Sequence, residues 1–303
     1  MTHPYATQAY ARSLSHIGAA LMVPEWNTAV LTRKIDAVQR DACGPYPITI
    51  LPPDADLAGG INRLLQQTDL VSVTIVIDEY HHPSFATLGR HFDVVRPFKT
   101  HYVVDRSIGP ASPSRHHRYE ISRALKRLKV DVFPLKQRLE EWITLYNQLI
   151  ERHRLQAVHR FPRHYHETLA ALSELTAVGA FVDDRLISAH LWIEKSGYVF
   201  SHLAASSEEG YALRAAYAVN DFSIQLFNSA NIINLGGAAG RENDPKDGLA
   251  RFKAGFSNAM VKSYICGKIL DLKAYNRLSA AMSPIESSFF PAYRAPVDHT
   301  GRT

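Results

Sequence analysis

The stretch Tyr198-Val-Phe-Ser-His-Leu-Ala-Ala-Ser-Ser-Glu-Glu-Gly-Tyr-Ala-Leu-Arg-Ala-Ala-Tyr217 decides how this chain is read. Tyr198 to Ala204 has the make-up of a strand, Ala205 to Gly210 turns the chain, and Tyr211 to Asn228 reads as a helix. Upstream, Ala177 to Val182 and Ile187 to Glu194 read as strands joined by a tight Asp183-Asp184 turn, and Ser196-Gly197 leads the second into Tyr198. The result is an antiparallel meander whose last strand runs directly into a helix. A helix start opened by glycine exposes backbone N–H groups at the positive end of the helix, where a pyrophosphate or nucleotide phosphate can be received. Gly210, Tyr211 and Arg214 are therefore candidate cofactor-binding residues, with an ordinary helix start as the alternative.

Beyond that helix, Ile232 to Leu235 is a short apolar strand ending in Gly236-Gly237, and Ala238 to Asp247 reads as a loop before Leu249. On the other side of the meander, a helix is expected from about Pro162 to Glu174, and a strong one from Pro134 with Leu135, Leu139, Trp142, Ile143, Tyr146 and Ile150 on one face. Val130 to Phe133 reads as a strand. Before it, Arg115, Arg118, Arg123, Lys126, Arg127 and Lys129 are opposed only by Glu120, while Ile121, Leu125 and Leu128 supply an apolar stripe. This basic amphipathic helix is expected to start near Pro113 with Ser112 as its cap. The first third reads as helical around Ala11 to Leu21 and Ala29 to Arg40, with extended runs at Tyr46 to Leu51, Val71 to Ile77 and Tyr102 to Asp105. Helices alternating with strands give an α/β or α+β layered fold with mixed sheets flanked by helices.

Composition bounds the rest. A chain of 303 residues, 46% hydrophobic and 21% charged, is long enough for one large domain or two medium ones. Met1 to Ala20 lacks the basic start and apolar run of a secretory signal, no stretch is apolar enough to span a bilayer, and Cys43 and Cys266 are too isolated for a disulfide framework. A cytoplasmic location is the expectation. The net charge of +5 favours phosphate-bearing ligands without choosing among them.

Residues Asp247-Gly-Leu-Ala-Arg-Phe-Lys-Ala-Gly-Phe256, following Leu235-Gly-Gly237, resemble the signature of the Fem-type (FemAB-like) aminoacyl and acyl transferases. The meander running into its helix is similar to the arrangement of the acyl-CoA-dependent N-acetyltransferase (GNAT) superfamily, and the basic helix before Val130 resembles the one that joins the two halves of Fem-type proteins. The likeness covers most of residues 105 to 271. It implies two GNAT-like domains, 1–130 and 131–303, facing each other across a cleft, although the sequence shows no obvious internal repeat. It implies further that the second carries the donor site, with Gly236, Gly237 and Phe252 beside the acyl donor and Lys253 supplying a cation to a phosphate or a developing negative charge. The donor implied is aminoacyl-tRNA or acyl-CoA, without a metal. The acceptor implied is an amine of a small molecule, peptide or envelope precursor, with tRNA as a further partner and no DNA. Without the resemblance, Phe252 reads as a core aromatic and Lys253 as a solvated charge.

Acyl transfer to an amine needs a neutral nitrogen, an aligned donor, oxyanion stabilisation and the loss of one proton, but no covalent nucleophile. His202, on the strand before the donor helix, is a candidate proton acceptor; a buried structural histidine is the alternative. His81-His82, His116-His117 and His159, His164 and His166 lack metal-binding spacing and read as surface residues. The basic helix has three readings: contact with RNA phosphates, contact with an anionic acceptor, or a solvated face. Two further functions stay open, a plain acetyl-CoA-dependent N-acetyltransferase and a non-catalytic binding partner that keeps the fold.

Overall fold

A computed structural model describes residues 2–238, 247–280 and 289–295. In chain order the elements are α1 (Gln8–Ser13), β1 (Ala19–Val23), β2 (Thr28–Lys34), β3 (Arg40–Cys43), α2 (Leu57–Leu65), β4 (Leu70–Ile77), α3 (Phe85–His91) and β5 (Val94–Asp105). There follow α4 (Arg115–Ala124), β6 (Lys129–Phe133), α5 (Leu139–His153), α6 (Arg163–Ala170), β7 (Leu175–Val182), β8 (Arg185–Lys195) and β9 (Tyr198–Ser206). The chain continues through α7 (Glu208–Ala212), α8 (Ala215–Leu226), β10 (Ile232–Gly237), α9 (Gly248–Ala254), β11 (Ala259–Ile269) and α10 (Leu272–Ala280). This is the expected mixed α/β architecture.

The described residues form two compact units, one from Met1–Phe98 and Ser263–Thr303, the other from Lys99–Lys262. In the first, β1, β2 and β3 form an antiparallel meander, β3 pairs parallel to β4, and β4 pairs antiparallel to β11. In the second, β6 to β9 are successively antiparallel, β9 pairs parallel to β10, and β10 pairs antiparallel to β5. Each unit thus repeats one step: an antiparallel meander, three strands in the first unit and four in the second, a helical crossover, then a parallel strand. Each also has its own core. Trp26, Leu64, Ile75 and Cys266 belong to the first, and Trp192, Val199, Ile233 and Phe256 to the second. Complete burial of side chains of this size is worth about 1.5–3 kcal/mol each.

The compact units divide the chain elsewhere than at residue 130. That position lies inside β6, and Ile121 and Ala124 of α4, with Leu128 just after it, pack in the same core cluster as Trp192 and Val219. At the other end Cys266 lies in the first unit's core, and the Arg294 guanidinium bonds both carboxylate oxygens of Asp41 on β3, at 3.0 and 3.2 Å.

Several local expectations are corrected. Ala29 to Arg40 is not helical: its first half is β2, buried along Thr28–Leu31, and a strand covered on both faces loses the alternation that would separate it from a helix. Ala11 to Leu21 likewise divides between the end of α1 and β1. Tyr46 to Leu51 forms no strand, because Pro45 and Pro47 remove ladder donors. The basic helix starts two residues later than read, capped by Ser114, whose hydroxyl accepts from the His117 N–H at 3.2 Å. The helix read from Tyr211 to Asn228 breaks at Arg214, which takes the left-handed conformation (φ 60°) between α7 and α8. The loop read at Ala238 to Asp247 lies mostly outside the described residues.

Candidate active site

The second unit opens where β9 and β10 part. Their parallel register runs Ile232↔Tyr198, Ile233↔Val199 and Asn234↔Phe200 and stops there. From that point β9 continues along β8 to Ser206, while β10 continues along β5 to the pair Gly237↔His101. A bulge in β9 marks the same place: Leu191 faces Leu203 and Trp192 faces Ser201, leaving His202 as the extra residue. On β10 the chain turns at Gly236, whose φ of 78° suits glycine and whose N–H donates to the Asn234 carboxamide oxygen at 2.8 Å.

Helix α9 delivers Lys253 to this place. Asp247 caps the helix, accepting from the N–H groups of Leu249 and Ala250 at 2.8 and 3.2 Å. Lys253 Nζ donates to the Gly237 carbonyl at 2.6 Å, and a Cβ at Gly236 would stand 3.2 Å from that nitrogen. The residue is half-buried as a whole, but its amine end is well covered, and burial pushes its pKa down to about 8. The neighbouring Lys99 charge lowers it further, and Asp247 opposes the shift. The structure thus holds an ammonium with a lowered pKa at the end of a glycine-ended strand, a combination found more often at functional sites than elsewhere.

The preceding helix residue faces elsewhere. The Phe252 ring packs against Tyr217 at the start of α8 (centroids 4.9 Å), Phe256 (5.3 Å) and His117 of α4 (5.8 Å). His117 Nε2 donates to the Phe252 carbonyl at 2.8 Å, so Nδ1 accepts from Ser114, and burial lowers the pKa of the ring. Gly255 is required beneath it, because a Cβ there would lie 2.1 Å from a His117 ring carbon. Around Tyr217 the charges of Arg214, Glu120 and Arg251 are all felt. Arg214 Nε lies 3.6 Å from the buried Glu120 carboxylate.

The two helix starts after the meander differ in what they offer an anion. At α7, Ser207 Oγ accepts from the Gly210 N–H at 3.1 Å, and Glu208 and Glu209 already occupy the first turn. Gly210 serves packing: a Cβ there would meet the Ile187 carbonyl oxygen at 2.3 Å. Tyr211 is engaged with α5, its hydroxyl 3.3 Å from His153 Nε2 and its ring under the Arg152 guanidinium at 4.5 Å. The start of α8 has no side-chain cap and no acidic residue in its first turn, and Arg214 is itself the N-cap. Of the two, α8 has the electrostatics for a phosphate.

His202 turns toward α6. Its Nε2 is 2.7 Å from the hydroxyl of the fully buried Tyr165, whose ring stacks on Phe161 at 4.2 Å. A second histidine, absent from the sequence reading, sits on β8. His190 is buried, stacked on Trp192 (3.8 Å), with Nε2 2.7 Å from the Ser201 hydroxyl. Burial pushes its pKa down to about 3, with the Lys253 and His202 charges adding to the shift, so the ring is neutral at working pH. The structure therefore brings Lys253, Gly236 and Gly237 together. Phe252 and Arg214 meet around Tyr217, while Gly210, Tyr211 and His202 are engaged with other elements. His190 and Lys99 carried no motif, and only strand pairing reveals their place. Among the described residues no cluster of three or more side chains suits a metal ion.

No protein-family model matches the chain, and no curated protein matches it significantly. Solved structures do match. FemX aligns with a TM-score of 0.62 at 11% identity, covering 91% of this chain and 95% of that one. The C-terminal domain of a putative lysylphosphatidylglycerol synthetase from Agrobacterium fabrum gives 0.61 at 13% identity, covering 86% and 88%. L-PGS from Bacillus licheniformis gives 0.59 at 12% identity, covering 88% of each chain. The Fem-type likeness read from residues 105 to 271 thus holds for the fold of most of the chain, which is the fold shared by FemX and these lysylphosphatidylglycerol synthetase structures.

Proposed function

We propose that this protein is an acyltransferase that forms an amide, taking an aminoacyl or acyl group from aminoacyl-tRNA or acyl-CoA and passing it to the amine of a small molecule, peptide or envelope precursor. The observation that carries the reading is the Lys253 amine, its pKa lowered to about 8, bonded to Gly237 where β9 and β10 part. The names of FemX and of the lysylphosphatidylglycerol synthetases, which share the fold, agree with it.

In this reading the donor's phosphate-bearing tail lies toward the α8 start and Arg214, and its carbonyl comes to Lys253. The acceptor nitrogen attacks that carbonyl, the new C–N bond forms, and the C–O bond to the tRNA ribose or the C–S bond to CoA breaks. The leaving oxygen or sulfur ends protonated, and the nitrogen gives up one proton. Protonated Lys253 stabilises the oxyanion of the tetrahedral intermediate, an interaction stronger in the transition state than in the ground state. His202 enters as an orienting residue bonded to Tyr165, and the proton leaves to water. The reaction is placed in the cytoplasm, where both donors are made.

The test is to incubate the purified protein with charged tRNA or with acyl-CoA thioesters and a mixture of amines, and to look for new amides by mass spectrometry. Amide formed only with charged tRNA assigns that donor, and amide formed only with thioester assigns acyl-CoA. No product with either, from protein that still binds them, replaces the proposal by a non-catalytic binding role.

A further inference from the structure

Helix α4 buries one stripe and leaves a cationic face outside. Arg115, Arg118 and Arg123 on the helix, with Lys126, Arg127 and Lys129 just beyond its end, are all exposed. Their acidic company is small: Glu120 is buried with its carboxylate 3.9 Å from Arg123, and Asp131 takes Lys129 at 2.7 Å. Arg118 donates to the Pro113 carbonyl at 2.6 Å. The side chains of Arg115, Lys126 and Arg127 form no hydrogen bond or ion pair among the described residues. Set among these cations are two large side chains left in water, Tyr119 at 64% and Leu125 at 52% exposure. Beside them runs an open groove of about 490 Å³ lined by Pro113, Arg118, Ile121, Leu125, Lys126 and, from α8, Asp221. Burial moves the Asp221 carboxyl upward in pKa, and its hydrogen bond from Gln225 opposes the shift.

We infer that this face is a docking surface for a bilayer rich in anionic phospholipid, with the Arg and Lys side chains on the headgroup phosphates and Leu125 and Tyr119 inserted at the interface. Charge complementarity selects an anionic partner, and clusters of four to eight Lys or Arg on an amphipathic helix bind anionic membrane surfaces, each contributing about 1 kcal/mol. The apolar side chains choose between the anionic partners. An RNA backbone satisfies the cations but leaves Leu125 in water, and Tyr119 alone is no row of rings for stacking bases. A bilayer interface uses both, taking aromatic and aliphatic side chains below the headgroups while the long basic side chains reach up. Attachment is peripheral, since no described helix is long and apolar enough to cross a membrane. The inference is independent of the acyl-transfer reading.

The test is co-sedimentation of the intact protein with vesicles of phosphatidylcholine alone and of phosphatidylcholine mixed with phosphatidylglycerol, with total tRNA binding measured in parallel. Expected is binding to the mixed vesicles only, reduced at least tenfold by Lys126→Glu with Arg127→Glu and unaffected by Lys273→Glu on α10. Leu125→Ser changes no charge and removes a side chain that is already half in water, so folding survives. It is expected to weaken vesicle binding roughly fivefold and to leave any tRNA binding unchanged. Equal affinity for the two vesicle types, failure to bind the mixed vesicles, or full vesicle binding by Leu125→Ser overturns the inference.

Discussion

The two units build the same step, a meander followed by a parallel strand, and finish it differently. In the first, the β3–β4 register reaches Cys43↔Thr74, and the chain that follows stays beside β4: the Gly44 N–H donates to Thr74 at 2.8 Å and the Thr49 N–H to Val76 at 2.6 Å. Residues 44–56 lie between β3 and α2, and part of them lines the edge of β4. In the second, β9 ends at Ser206 and α7 begins at Glu208, so the connection supplies no chain to fill the gap. The strands part, and the gap receives a lysine instead. A shared step therefore does not make identical sites: the length of the connection after the meander decides whether the parallel pair is sealed or open.

The comparison breaks most directly at Lys253. Lys253→Ala is expected to lower kcat/KM for acyl transfer by roughly 10²- to 10³-fold, the cost of losing one oxyanion-stabilising group. Lys126→Ala, remote from the parting strands, is expected to change it by less than about twofold. Equal effects in steady-state kinetics would remove the assignment of the site to the second unit.

Gly236→Ala comes next. A side chain at φ 78° costs about 1–2 kcal/mol, and its Cβ would stand 3.2 Å from Lys253 Nζ. The expected result is a loss of roughly tenfold in kcat with a lowered denaturation midpoint, from a shift of the amine within the gap. Its counterpart in the sealed unit, Gly44→Ala, would place a Cβ 1.9 Å from Thr49 Oγ1. That variant is expected to lose about 1–3 kcal/mol of stability by urea unfolding while turnover per folded molecule stays unchanged.

The pH profile sharpens the role of the amine. Lys253 has a folded pKa of about 8, below the 10.5 of an unhindered lysine, so its ammonium is lost as pH rises through about 8. If the charged form acts, kcat falls across that range, and Lys253→Arg moves the fall to higher pH; a rise instead would make the lysine a base. The linkage sign for stability is opposite. The unfolded chain holds the proton more tightly between about 8 and 10.5, so this group makes the fold more stable as pH rises through that window. Among the residues beside the parted strands, the smallest catalytic effect is expected at His202. His202→Asn removes the imidazole Nε2 that bonds the buried Tyr165 hydroxyl and is expected to cost about 1–3 kcal/mol in stability with less than tenfold loss of kcat.

By itself the sequence determined the second unit well. Ala177 to Val182, Ile187 to Glu194 and Tyr198 to Ala204 are bounded by turn residues, and all three became strands, because hairpin turns and apolar runs are local signals. The Gly236-Gly237 ending and the Phe252-Lys253 pair were likewise legible as a motif. The first third was not: β2 is buried along Thr28–Thr32, and burial on both faces erases the periodicity that tells strand from helix. Tertiary structure alone decided that Arg214 rather than Gly210 starts the uncapped helix, that His202 faces Tyr165, and that His190 lies buried behind Ser201. It alone shows that the β9–β10 ladder stops at Asn234. These are properties of strand register and of contacts between residues far apart in the chain, and no local pattern of residue types encodes which partner a side chain will meet.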